Sequence, residues 1–425
     1  MTSRQKTRNP RRAARPRETR TEGEQSRRLA RWKGRARKER SGARRSPESR
    51  ELSGAVFGCV VVLAGLGMVM VFSATAPLSA GEPIPPHFLR HVSALLVGGV
   101  LALIASRIPL HVWHAIALPL WALVLLLLTA TLLAGLRVNG AQRWLPIPGT
   151  GSAFQPAELA KLATVMAVAV VLSRRDGHAP VPISRFGIAI ALAGVPAALC
   201  LLQPDLGNAV LLLGLAGLLL FTAGAPLRAL AAPTALASAG IAAYSILNPY
   251  AFRRWIGFIK PWDTAQEQGY QLVQSFVAFG RGGLLGEGLG DGRQKLFYLP
   301  EAHTDFILAV ISEELGLLGV LLVLGAFAAL LVAGVRIALR SRQRFAMLLS
   351  FGMTGLLTVP ALVNAAVVMG VAPTKGLTLP LLSYGRSSLL VSCLAVGVLV
   401  SVARGQAAAE RSAVKGAVPR GLVQV

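Results

Sequence analysis

From residue 51 onward the chain reads as a succession of long apolar stretches separated by shorter polar connections. Most approach the ~20 residues an α-helix needs to cross ~30 Å of hydrocarbon. They fall near 54–75, 88–105, 112–135, 157–173, 187–203, 209–223, 229–247, 310–335, 346–370 and 383–403. This pattern predicts an all-α, polytopic integral membrane protein of about ten transmembrane helices. The widest gap, about 250–309, is a long connection between helices 7 and 8, and loops of that length usually carry function. Composition agrees: 53% of residues are hydrophobic, 15% are charged and mean hydropathy is +0.57, so the bilayer is the expected solvent.

Charge refines this picture. Formal net charge is +25, and the first fifty residues hold 19 Lys and Arg against 5 Glu with almost no aliphatics. Such a segment buries too little apolar surface to offset chain entropy, so 1–50 is expected to be a disordered basic tail. It is too long for the positive region of a signal peptide. Beside a membrane span, its expected role is to anchor against anionic lipid or a partner, and no nucleic acid is expected. Ten spans place both termini on one side, and the positive-inside bias makes that side cytoplasmic. Arg107, Arg174, Arg175, Arg185, Arg228, Arg336, Arg340, Arg342 and Arg344 keep the same phase. The expected organisation is therefore the tail, a membrane domain over 51–405 and a short cytoplasmic tail over 406–425. The 250–309 connection breaks the charge trend, but a loop this long crosses whatever its charge. It is expected to be extracytoplasmic.

Three cysteines (Cys59, Cys200, Cys393) lie in apolar runs and imply no disulfide framework, and the six histidines show no metal-ligand spacing. No cofactor is indicated.

The long connection holds the candidate chemistry. Seven glycines fall in the 13 residues from Gly280 to Gly292. No alternating strand precedes them, so a dinucleotide site is disfavoured and tight turns with close backbone approach are expected. Cations facing outward beside a membrane suit an anionic headgroup such as a pyrophosphate. Arg253, Arg254 and Lys260 are the candidates as a group, and a solvated loop face is the alternative for any one of them. His303-Thr304-Asp305 sits at the entry to the eighth span, where Thr304 or Asp305 caps the helix or Asp305 serves as a general base. Glu158 and Lys161, three apart, share a helix face as either a structural ion pair or a substrate contact. Asp205, between Pro204 and Gly207, reads as a turn-stabilising residue. Of Glu313 and Glu314, one is expected to cap or pair internally, and neither is given a chemical role.

Several segments together resemble one family, the SEDS proteins (shape, elongation, division and sporulation), which include FtsW, RodA and SpoVE. They are NGAQRWL at 139–145, FQPAELAKLA at 154–163, QPDLG at 203–207, PWD and GYQLVQS within 261–275, LPEAHTDFI at 299–307 and KGLTLPLLSYG at 375–385. Ala302 within PEAHTDF leans toward the FtsW branch. The resemblance implies a ten-helix fold and glycosyl transfer on the outer membrane face with lipid II as substrate. It implies that Asp305 matches the family's essential aspartate and that Trp144, Glu158 and Lys161 match positions tied to activity. A class B penicillin-binding protein and other division proteins are the implied partners. The expected chemistry has Asp305 taking the acceptor proton while Arg253, Arg254 and either Lys260 or Lys375 stabilise the departing pyrophosphate. A divalent cation is left open for the same task, although no carboxylate cluster fixes a site. A lipid II flippase, a RodA-like elongation polymerase and a division scaffold are the competing readings. Gln142, Ala157, Ala251 and Arg386 depart from the family pattern. At Arg386 the common form is SYGGSS; a second glycine there implies close backbone packing, so Arg386→Gly is expected to be tolerated.

Overall fold

The computed structural model describes residues 45–79, 82–138, 140–149, 152–173 and 182–416. Most of the basic tail, the 417–425 end and the loop arginines Arg174 and Arg175 lie outside the described residues. The helices are α1 (Arg45–Thr75), α2 (Pro86–Ala105), α3 (Leu110–Ala134), α4 (Pro156–Ser173), α5 (Ile183–Leu202), α6 (Leu206–Thr222), α7 (Leu227–Leu247), α8 (Pro249–Ile259), α9 (Tyr270–Gly282), α10 (Ile307–Arg340), α11 (Arg344–Val368) and α12 (Arg386–Gly416). Nine of those described are long and apolar enough to cross a membrane, and α6, at 17 residues, is a shorter apolar helix that completes the ten expected spans. The last helix runs on to Gly416, into the segment expected as a tail.

Small residues decide which helix sits in the middle. In α4, alanines at 157, 160, 163, 167 and 169 make a thin rod, and from Pro156 to Leu172 every residue but the half-buried Leu159 is buried. Without a hydrophobic drive between helices in lipid, close backbone approach supplies the packing, and small side chains permit it. Gly352 of α11 accordingly lies against Val165 of α4, and Gly334 of α10 against Thr354 of α11. By contrast α7 stands at the periphery, with Ser245 its one buried residue. Its exposed leucines and isoleucine, among them Leu236 and Ile246, suit a lipid-facing surface.

Two features go beyond the predicted spans. Three short strands, β1 (Leu136–Val138), β2 (Ala141–Ile147) and β3 (Ser152–Phe154), form an antiparallel sheet in the order β1-β2-β3. The 250–309 connection contains α8 and α9. In α8, Phe252, Trp255, Ile256 and Ile259 recur at one-face helical spacing and are all exposed. The other helix, α9, buries Leu272, Val273 and Ala278, and Ser275 Oγ donates to the Val368 carbonyl at 2.8 Å.

The glycine-dense segment after α9 wraps a kink in α10. Gly316 has φ +67° inside the helix and faces Gly286, whose φ is +83°, so both backbones take a conformation that disfavours a side chain. Carbonyls freed by the kink are satisfied by the loop: Glu287 N donates to the Glu313 carbonyl at 2.9 Å and Gly288 N to the Glu314 carbonyl at 3.1 Å. Both buried carboxylates are also partnered. Glu313 accepts from Arg293 N and Gln294 N, each at 3.0 Å. Glu314 accepts from Lys295 Nζ at 2.7 Å, Ser73 Oγ at 2.7 Å and Gly290 N at 3.0 Å. Internal pairing, expected for one of the two glutamates, is found for both, and it ties the loop to α1 and α10.

Candidate active site

Several of the residues singled out in the sequence converge at one end of the helix bundle, around a cavity of about 410 Å³. Its walls come from β2, the start of α4, the segment before α10, α8 and the loop leading into α12. Of the predicted residues, Asp305, Trp144, Glu158, Lys161 and Arg254 line it. Lys375 lines a smaller adjoining pocket of about 60 Å³ that shares Arg143, Arg254 and Gly376 with the main one.

Asp305 does not cap α10. The N-cap position belongs to Phe306, and no side chain caps that turn. Thr304 Oγ1 donates instead to the Glu301 carboxylate at 2.7 Å. The Asp305 backbone is held from a distance: Asn364 Nδ2, on α11, donates to the Asp305 carbonyl at 2.7 Å and to the Leu377 carbonyl at 2.6 Å. Tyr384 N donates to the His303 carbonyl at 3.0 Å. One amide and one turn thereby lock 303–305 onto the 376–385 loop, where Gly376 leaves room for the carboxylate: a Cβ there would lie 3.1 Å from Asp305 Oδ2.

This setting shapes the acid. Burial first, and the neighbouring Glu301 second, push the Asp305 carboxyl up to about 7, against the downward pull of Arg254 and then Arg143. Removal of water from the ionised form outweighs the cations. The carboxylate keeps an opening to the cavity while most of its surroundings are protein. An acid poised near neutrality and open to a cleft is suited to proton abstraction. Burial also pushes the Lys375 ammonium and the His303 imidazole down.

Other charges are held in fixed partnerships. Lys161 Nζ donates to Glu158 Oε1 at 2.8 Å, and both side chains are buried on the first turns of α4. They form the structural pair envisaged from their spacing and also face the cavity. Arg143 docks β2 onto the turn between α5 and α6, with its guanidinium donating to the Gln203 and Pro204 carbonyls and lying 4.0 Å from Asp205. Asp205 caps α6, accepting from Asn208 N at 3.3 Å, in keeping with the turn-stabilising reading. Arg254 NH1 donates to the Thr374 carbonyl at 3.1 Å.

Arg253 and Lys260 are not brought to the cavity. Successive residues on a helix point about 100° apart, so α8 can turn only one of Arg253 and Arg254 inward. Arg253 is exposed. Lys260 lies past the end of α8, 3.8 Å from Asp263, with both side chains largely in solvent. Arg143, Asn364, His303, Tyr384 and Arg386 join the site although none was singled out for a role. Arg143 and Tyr384 sit inside quoted motifs, a signal available in sequence. Asn364 had none, because it acts 59 positions from Asp305. Among the described residues no cluster of His, Cys, Asp or Glu is arranged to hold a metal.

The likeness to known proteins is extensive. Residues 54–408 match the model of the FtsW/RodA/SpoVE cell cycle protein family. The chain is 39% identical over 346 residues to the probable peptidoglycan glycosyltransferase FtsW of Geobacter sp. (strain M18), covering 80% of this chain and 94% of that protein. To the probable peptidoglycan glycosyltransferase FtsW of Coxiella burnetii it is 40% identical over 353 residues, covering 81% and 94%. Among solved structures it resembles a chain of a peptidoglycan synthase complex that coordinates polymerization and crosslinking, with TM-score 0.68, 31% identity, and coverage of 83% of this chain and 97% of the other. The rod shape determining protein RodA of Thermus thermophilus gives TM-score 0.61, 30% identity, and coverage of 83% and 96%. With ten apolar helices among the described residues, a charged cavity at one end of the bundle and relatives matched over nearly their whole length, the chain belongs to the FtsW/RodA/SpoVE family.

Proposed function

We propose that the protein is a peptidoglycan glycosyltransferase that polymerises lipid II on the outer face of the cytoplasmic membrane. The observation that carries this reading is Asp305: a carboxylate poised near pH 7 by burial, open to a cavity whose other walls carry Arg143, Arg254 and the Glu158–Lys161 pair. The sugar hydroxyl of an incoming lipid II attacks the anomeric carbon of the glycan held on its lipid pyrophosphate. As the new C–O bond forms, Asp305 takes the hydroxyl proton, and the bond from the anomeric carbon to the pyrophosphate breaks with its electron pair passing to phosphate oxygen. Arg254 and Arg143 stabilise the charge that develops there. Trp144, beside Arg143 on β2, supplies an apolar wall for a sugar face.

Positive-inside bias supports placing the cavity outside and both termini in the cytoplasm. The FtsW relatives, at 39–40% identity, support a role in septal synthesis over elongation. The synthase complex among the structural relatives supports a crosslinking partner, a class B penicillin-binding protein. Transport would call for ionisable groups near the bilayer midplane, whereas the charged groups here gather at one end of the spans. The test is incubation of the purified protein, alone and with its partner, with labelled lipid II. Glycan polymer supports the reading; lipid II movement across vesicles without polymer overturns it.

A further inference from the structure

The remaining cation of the cavity is the residue at which this chain departs from the SYGGSS form. Arg386 opens α12 and lines the cavity together with Ser388 and Asp305. The close packing expected from a second glycine is not found: the backbone at 386 is not in the left-handed region, and the side chain is half-buried rather than wedged. Its recorded partner is neutral, NH1 donating to Ser152 Oγ of β3 at 2.8 Å. No carboxylate of the described residues lies within ion-pair distance of it, whereas Lys161 has Glu158 and Arg143 has Asp205.

Its place in the helix sharpens the point. The first turn of a helix carries the positive end of the macrodipole, where a cation is disfavoured. A guanidinium held there, partly desolvated and without a counter-ion in the protein, lacks an anion. Its planar fork suits a bidentate oxyanion.

Resting on the glycosyltransferase reading, we infer that Arg386 is a substrate-binding residue that holds a pyrophosphate oxygen of a lipid-linked sugar in the cavity, with Ser152 orienting the guanidinium. The β3–α12 contact thereby becomes part of the binding site. The sheet would then sense occupancy, because the same guanidinium bridges Ser152 and the ligand. This reverses the sequence-based expectation for Arg386→Gly, since the variant would lose a contact to substrate.

The test measures equilibrium binding of labelled lipid II to the full-length protein in detergent, for wild type, Arg386→Gln and Arg386→Lys, with inorganic pyrophosphate as competitor. Thermal melting serves as folding control, and Arg386→Ala is a second neutral replacement should the Gln variant not fold. The expected result is a loss of about tenfold in affinity for Gln, a smaller loss for Lys, and a matching loss in the potency of pyrophosphate as competitor. Unchanged lipid II binding in a folded Gln or Ala variant overturns the inference. So does weakened lipid II binding with undiminished pyrophosphate competition, because it would place Arg386 on a carboxylate of the peptide stem. Binding is read separately from turnover, so a wild-type protein that binds lipid II without polymerising it would contradict the proposed function and leave the role of Arg386 standing.

Discussion

Asp305 shows how environment outweighs identity at the residue scale. A carboxylate near a helix start and near cations is expected to be a weak base, yet burial and Glu301 carry it up to about 7. The sign for stability follows from that shift. The folded-state pKa lies above the unfolded one, so Asp305 contributes stability that is fully present below about pH 4 and is lost as pH rises through about 7. Asp305→Asn removes the ionisation, and thermal melting in detergent is expected to show the variant gaining on wild type between pH 5 and pH 8, on the order of 1–3 kcal/mol. Equal melting temperatures at every pH would mean that the carboxylate is better solvated than its surroundings indicate. Wild-type activity is expected to rise with pH through about 7 as the base ionises. Asp305 was legible from PEAHTDF, and its competing role as a helix cap is removed by Phe306 at that position. Asn364, which holds the Asp305 carbonyl, was not legible, since contacts between distant helices leave no periodic trace.

At the scale of elements, the Glu158–Lys161 pair is what anchors charge to the central helix. Breaking a buried pair leaves one charge without compensation, at a cost of about 3–5 kcal/mol. Lys161→Met is expected to destabilise the protein by that order, and Glu158→Gln combined with Lys161→Met to recover most of it; a double-variant cycle in thermal melting reads the coupling. Additive effects of the two changes would show the pair to be structurally idle. The glycine loop offers a second check. A Cβ on Gly282 would collide with the Ser312 carbonyl, so Gly282→Ala is expected to lower the melting temperature sharply, while the same change at Gly280, which faces open space, is expected to be close to neutral. The spans were readable because hydrocarbon thickness fixes their length. The β-sheet was not, because Pro146 and the turn at Gly149 interrupt a strand pattern only a few residues long. The helix α8 was readable in principle, through the stripe of Phe252, Trp255, Ile256 and Ile259. That same geometry separates Arg254, on the cavity, from Arg253, in solvent.

For the molecule as a whole, sequence patterning was sufficient for the class of fold and the end of the bundle where chemistry gathers, because most of the motifs lie at ends of spans. What it lacked was the convergence of β2, α8, the 301–305 segment and the 376–388 segment on one cavity, which only three-dimensional packing supplies. The proposed orientation in the membrane rests on charge bias, and a cysteine placed at Gln266, just after Lys260 and Asp263, is expected to react with an impermeant reagent from outside the cell. Labelling only from the cytoplasm would overturn the topology and the outer-face assignment together. The most direct measurement compares lipid II polymerisation by wild type and Asp305→Asn at matched, folded protein levels, each with its partner present. Asn retains the size of Asp and loses the base, so the account predicts glycan polymer from wild type and none from the variant. Polymer from the Asn variant near the wild-type rate would contradict it.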